Sequence, residues 1–130
     1  MSISTVNGPT IQLDTHAGKA SLPTKMVVNE VTYDRNSPQY KPGMVVMTIE
    51  QSVDIPAGAS YVDGGYWVES SAGDDYIPTF RFMGNAPKEN MTGYRIKARF
   101  MLPLSGTDAA GKDTFPPLTI KVYCIYIPAA

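Results

Sequence analysis

The chain is short of the residues on which most small active sites are built. Its 130 residues include one cysteine, Cys124, and one histidine, His16. A single cysteine excludes an intramolecular disulfide and any cysteine cluster for zinc, so the fold must be held by packing. A single histidine leaves Ser-His-Asp or Cys-His chemistry dependent on His16. That residue lies in the polar stretch HAGKAS, with nothing large beside it to fix its position. Catalytic groups need tight, supported placement, and His16 reads instead as an exposed residue. Cys124 falls on the inward face of an alternating run, where a thiol is buried and inert.

Charge is also scarce. Asp, Glu, Lys and Arg make up 18% of the chain, against about a quarter in ordinary globular proteins, which points to surface hidden against a partner. The formal net charge of -1 excludes a general nucleic-acid binder, which needs a concentrated excess of cations. No apolar run approaches the roughly 18 residues of a membrane span. The opening MSISTVNGPTIQLDTHAG has no basic segment followed by an apolar one. The expectation is a protein made and folded in cytoplasm, with no membrane contact.

Phosphate and metal signatures are missing as well. HAGKAS has a Gly-Lys pair, but it lacks the upstream glycine and the following Ser or Thr of a phosphate loop, and no GxGxxG occurs. Asp63, Glu69, Asp74 and Asp75 crowd one stretch, VDGGYWVESSAGDDY, without the alternating acids of a calcium loop. We expect no cofactor, no metal and no enzymatic activity. Paired carboxylates of a small hydrolase stay open, because they need only two acids converging in a cleft.

Helix is the next absence. Eleven glycines and eleven prolines recur so regularly that few windows accommodate a helix of about 11 residues. The windows free of both are rich in β-branched and aromatic residues. YRIKARFML (94–102) alternates strictly, with Tyr94, Ile96, Ala98, Phe100 and Leu102 on one side and Arg95, Lys97 and Arg99 on the other. LTIKVYCIYI (118–127) sets Leu118, Ile120, Val122, Cys124 and Tyr126 opposite Thr119, Lys121, Tyr123, Ile125 and Ile127. Its second half is apolar on both faces, so an N-terminal segment or another subunit must cover it.

Further strands are expected at 10–13, 26–33, 44–55, 59–62, 65–70 and 76–83. Asp63-Gly64-Gly65 and 72–75 read as turns, because Asp-Gly pairs suit hairpins. The stretches 34–43, 84–93 and 104–117 read as polar loops. The fold class is all-β: a single antiparallel β-sandwich or jelly-roll-like domain over 25–130, with residues 1–24 as an extended N-terminal arm. The arm either lies loosely or completes a neighbour's sheet by strand addition.

Three groups of residues are candidates for contact. Tyr66 and Trp67 are adjacent, so on a strand one faces inward and the other is presented outward as an anchor. Arg95, Lys97 and Arg99 form a cationic stripe, spaced about 6.5–7 Å apart. They are either a solvated face salt-bridged to nearby acids or a docking face for an acidic surface. Tyr123, Ile125 and Ile127 make an apolar patch.

In length, polar arm and strand pattern the whole chain resembles the small β-sandwich decoration, or cement, proteins of phage capsids. The resemblance implies a non-enzymatic virion structural protein, made in host cytoplasm. It implies a dimer or trimer that clamps neighbouring major-capsid or other virion subunits and stabilises the shell. The alternative is a carbohydrate-binding module or receptor-binding tip of a tail fibre, with Tyr66 or Trp67 as stacking platform and Asp63, Asp74 and Asp75 as hydroxyl acceptors.

Overall fold

A computed structural model of the chain describes residues 2–34, 36–41, 46–70, 80–101 and 118–129. Nine strands run through them: β1 (Ser2–Asn7), β2 (Ile11–Thr15), β3 (Gly18–Leu22), β4 (Lys25–Tyr33), β5 (Val46–Asp54), β6 (Ser60–Ser70), β7 (Phe80–Pro87), β8 (Gly93–Met101) and β9 (Leu118–Ile127). A single 3-10 turn, Glu89–Met91, joins β7 to β8. All pairings are antiparallel. One sheet has the order β1-β4-β9-β6, a second β5-β8-β7, and β2 and β3 pair only with each other.

The four-stranded and three-stranded sheets face one another across a shared core. The strict alternation of β9 buries Leu118, Ile120, Val122, Cys124 and Tyr126, and β4 adds Val27 and Tyr33. From the other sheet come Met47, Ile49 and Val53 of β5 and Tyr94, Ile96 and Ala98 of β8. A fully buried aliphatic side chain contributes roughly 1.5–3 kcal/mol, whereas an exposed ion pair contributes about 0–1. The described ion pairs, Lys88–Asp54 and Lys121–Glu69, are both at the surface. The core, not the ion pairs, holds the sheets together.

A polar network crosses that core. Gln51 on β5 accepts from Tyr33 Oη (2.8 Å) and donates through Nε2 to the carbonyls of Asn29 and Ile120 (both 2.9 Å). Asn29 on β4 donates back through Nδ2 to the Ser52 carbonyl at 2.8 Å. Burying amides without partners costs several kcal/mol, so this cross-bonding lets Gln51 sit inside and fixes β4 against β5.

Three stretches depart from the sequence expectations. Asp63-Gly64-Gly65 is no turn but the middle of β6, which merges the two short strands expected at 59–62 and 65–70. The register slips there between Tyr61 and Asp63 in a bulge at Val62. The polar loop expected from residue 84 begins later, since β7 continues to Pro87; among the described residues β7 is at the edge of its sheet, where a residue with no N–H to donate is tolerated. Residues 1–24 form three strands where one was expected within an extended arm. Ser2–Asn7 completes this chain's own sheet beside β4, and Ile11–Leu22 is a hairpin. The second expected turn (72–75), the inward Leu102 and the loop at 104–117 lie outside the described residues.

Candidate interaction surfaces

The outer face of the four-stranded sheet collects most of the apolar candidates. Pairing Val28 with Tyr123 and Met26 with Ile125 puts these side chains in cross-strand rows, which Ser4 and Val6 of β1 extend. On the other side of β9, Gly65 faces Tyr123, and Trp67 faces Lys121. The resulting face is graded. One end is polar, where Thr32 and Thr119 hydroxyls bond at 2.8 Å; the other end carries Val6, Met26, Ile125 and Ile127. Val28 is buried although it stands outside the main cluster between the sheets, and Tyr123, Ile125 and Ile127 are half-buried.

Gly64 and Gly65 explain themselves on this sheet. A Cβ on Gly64 would meet the Tyr94 ring at 2.5 Å on the core side, and a Cβ on Gly65 would meet Tyr123 Oη at 2.5 Å on the outer side. Both glycines let an aromatic ring from another strand lie directly on the β6 backbone, a packing that compensates a strand glycine's lost side chain.

Tyr66 points inward and packs against the core, so the outward member of the pair is Trp67. The Trp67 ring lies 5.4 Å from the Tyr123 ring at an interplanar angle of 44°. The Lys121 ammonium stands 5.4 Å from the indole centroid. Trp67 Nε1 donates to Glu69 Oε1 at 3.0 Å, and Lys121 Nζ reaches the same oxygen at 3.3 Å. The indole is thereby fixed by neighbours on its own sheet. Such a pre-ordered, half-buried aromatic is a low-entropy anchor for a protein surface.

Behind this face, burial pushes the Tyr61 phenol up to about 12, with smaller contributions from Cys124 and Asp63. Burial also pushes the Cys124 thiol up to about 11, helped by Asp63. The thiol is protonated and enclosed, the condition of an inert cysteine.

The cationic candidates occupy the opposite side of the molecule. Arg95, Lys97 and Arg99 are exposed on the outer face of the three-stranded sheet, paired in register with Ser52, Glu50 and Thr48. Among the described residues none of the three forms an ion pair, and the nearby Asp54 is held by Lys88 at 2.5 Å. The structure divides the sequence candidates between two opposed faces rather than gathering them at one site.

His16 sits at the turn of the β2–β3 hairpin, exposed and far from Cys124 in the fold's arrangement of strands. Asp74 and Asp75 lie outside the described residues. Among the described residues no cluster of His, Cys, Asp and Glu has the geometry of a metal site, and no helix is long and apolar enough to cross a membrane. The sequence reading missed Val6, Met26 and Val28 as outer-face residues. Met26-Val27-Val28 was the available signal, since consecutive apolar residues on a strand must be apolar on both faces.

These features describe an all-β protein of antiparallel sheets with two chemically distinct outer faces. Compared with protein-family models, with curated proteins and with solved structures, the chain gives no match in any of the three.

Proposed function

We propose that the chain is a non-enzymatic structural subunit of a virion, a capsid decoration or cement protein whose two facing sheets form a β-sandwich. The observation that carries the reading is the opposition of its two faces. The aromatic and apolar face around Trp67, Tyr123, Ile125 and Ile127 suits self-association into a dimer or trimer. The exposed Arg95, Lys97 and Arg99 on the far side, which form no ion pair among the described residues, suit an acidic lattice surface. A subunit with one face for its own kind and another for a shell gains avidity from repetition on a symmetric lattice, without a large interface per copy. It would be made in host cytoplasm and reside on the virion.

The sugar-binding alternative is the weaker one, because it needs a bare indole face. Lys121 already stands against the Trp67 ring, Tyr123 leans on it, and its N–H is engaged by Glu69.

An antibody against the protein, applied to intact virions purified from the producing culture, tests the reading. Labelling of the shell exterior is expected, together with self-association into two or three chains that Ile125→Asp weakens. Virions without label, or a wild-type protein that stays monomeric, overturn it.

A further inference from the structure

The β2–β3 hairpin is a ribbon with two unlike faces. Cross-strand pairs Ile11–Leu22 and Leu13–Ala20 share one face, and Gln12–Ser21 and Asp14–Lys19 share the other, where Ser21 Oγ donates to Gln12 Oε1 at 3.1 Å. Leu13 is 45% exposed. No hairpin residue belongs to the core, and among the described residues β2 and β3 pair with no third strand. A two-stranded hairpin alone in water is marginally stable at best, so an apolar ribbon of this kind needs a surface to lie on.

The molecule also carries an unfilled surface that accepts a strand. Between β1–β4 and the edge of β5, which pairs with no strand on that side among the described residues, lies a groove of about 470 Å³, with Ile3, Val31 and Val53 among its apolar walls and Glu50 in its lining. Ile55 N donates to the β8-side carbonyl of Thr92, whereas the Ser52 carbonyl turns away from β8 to accept from Asn29. By the alternation of an antiparallel ladder, Glu50 and Asp54 also direct main-chain groups into the open edge. Within the groove, Asn29 is 6% exposed and its Oδ1 has no hydrogen-bond partner. Ile3 is 60% exposed. A buried acceptor left without a donor costs about 1–3 kcal/mol, which an incoming backbone N–H would recover.

The hairpin does not occupy its own groove, whose lining includes none of residues 11–22. Its base is pinned at the Asn7/Lys25 end of β1 and β4, where Gly8 N donates to Thr24 O at 3.0 Å and the Thr24 hydroxyl bonds Pro9 O. The groove opens around Ile3, Asn29 and Val31, four to six residues along the same strands, or about 13–20 Å. We propose that the hairpin of one copy docks in the groove of a second, adding a strand to the β5 edge. Its apolar face covers Ile3 and Val31, and Lys19 lies toward Glu50, which has no ion pair among the described residues. Because hairpin and groove lie at opposite ends of β1–β4, the contact is head-to-tail and closes a ring when the rotation allows. The inference rests on the proposed self-assembling function and names a contact distinct from the Trp67 face.

Complementation of two surface variants tests it. Leu13→Asp spoils the hairpin and keeps the groove; Ile3→Asp spoils the groove and keeps the hairpin; Glu50→Lys alters the groove rim without touching β1. In an Ile125→Asp background, which removes the Trp67 face, each alone should weaken self-association at least tenfold in sedimentation velocity, with thermal unfolding unchanged. An equimolar mixture of Leu13→Asp with either groove variant in that background should restore a two-chain complex, since one intact hairpin then meets one intact groove. Variants that assemble like Ile125→Asp alone, or a mixture that stays monomeric, overturn the inference. If the wild type assembles and only Ile125→Asp disrupts it, this contact falls while the proposed function stands; a monomeric wild type removes both.

Discussion

Tyr33 Oη donates a 2.8 Å hydrogen bond to Gln51 Oε1, joining the two facing sheets through the middle of their core. Tyr33 is on β4 and Gln51 on β5, and Gln51 passes the connection on to the Asn29 and Ile120 carbonyls. Tyr33→Phe should cost about 1–2 kcal/mol, the loss of one bond plus an unpaired acceptor. Gln51→Leu should cost more, about 2–3 kcal/mol, because it removes the acceptor of the Tyr33 bond and two further bonds to buried carbonyls. Urea unfolding of both variants checks the order; a Gln51→Leu protein as stable as wild type would show that the network holds nothing.

Alkaline pH should unfold the protein early. Burial lifts Tyr33 from 10.0 to about 12, and Cys124 from 9.0 to about 11. A raised folded pKa means the folded state holds its proton where the unfolded chain has released it. Stability is therefore full below about pH 9 and falls as pH rises through 11–12. One unit corresponds to about 1.4 kcal/mol, so Tyr33 alone accounts for roughly 3 kcal/mol. The urea midpoint should be flat to pH 9 and then decline, with a shallower decline in Tyr33→Phe. An identical decline in that variant would exclude Tyr33 as a source.

Alanine at the two adjacent strand glycines should act unequally. At Gly64 the new methyl meets the Tyr94 ring, which is locked in the core, so strain of about 2–3 kcal/mol is expected. At Gly65 it meets Tyr123, whose half-exposed ring can swing aside, so the cost should stay below about 1 kcal/mol while Trp67 loses its neighbour. Thermal unfolding and Trp67 fluorescence separate the two. Equal destabilisation with unchanged fluorescence would contradict this geometry.

Arg95→Glu, Lys97→Glu and Arg99→Glu should each leave stability within about 0.5 kcal/mol, as exposed residues without ion pairs do. Their effect should appear in binding to acidic surfaces. Retention of the protein on an anionic resin should fall with each substitution and fall with added salt. Loss of folding stability instead would mean that the stripe is structural.

The β8 and β9 alternations were legible in the sequence because a half-buried strand writes its two faces with period 2, and inward Tyr94, Ile96 and Ala98 follow directly from that period. The double-apolar end of β9 likewise announced an outer face that stays apolar. Asp63-Gly64-Gly65 misled for an equally physical reason. Glycine serves both a turn and a strand overlain by a ring, and only Tyr94 and Tyr123, brought from β8 and β9, decide between them. The hairpin at 11–22 was half legible, since its few apolar residues sit among small polar ones and its strands hold each other rather than a core.

From the sequence alone came the all-β class, the absence of thiol and histidine chemistry, and the division of β8 and β9 into faces. These follow from composition and local periodicity, which act within a few residues. Tertiary structure decided that Trp67 and not Tyr66 is presented, that the cationic and apolar faces stand on opposite sides, and that Asn29 Oδ1, beside the β5 edge, has no hydrogen-bond partner among the described residues. Those outcomes depend on strand order and register between residues far apart in the chain, which no local pattern encodes.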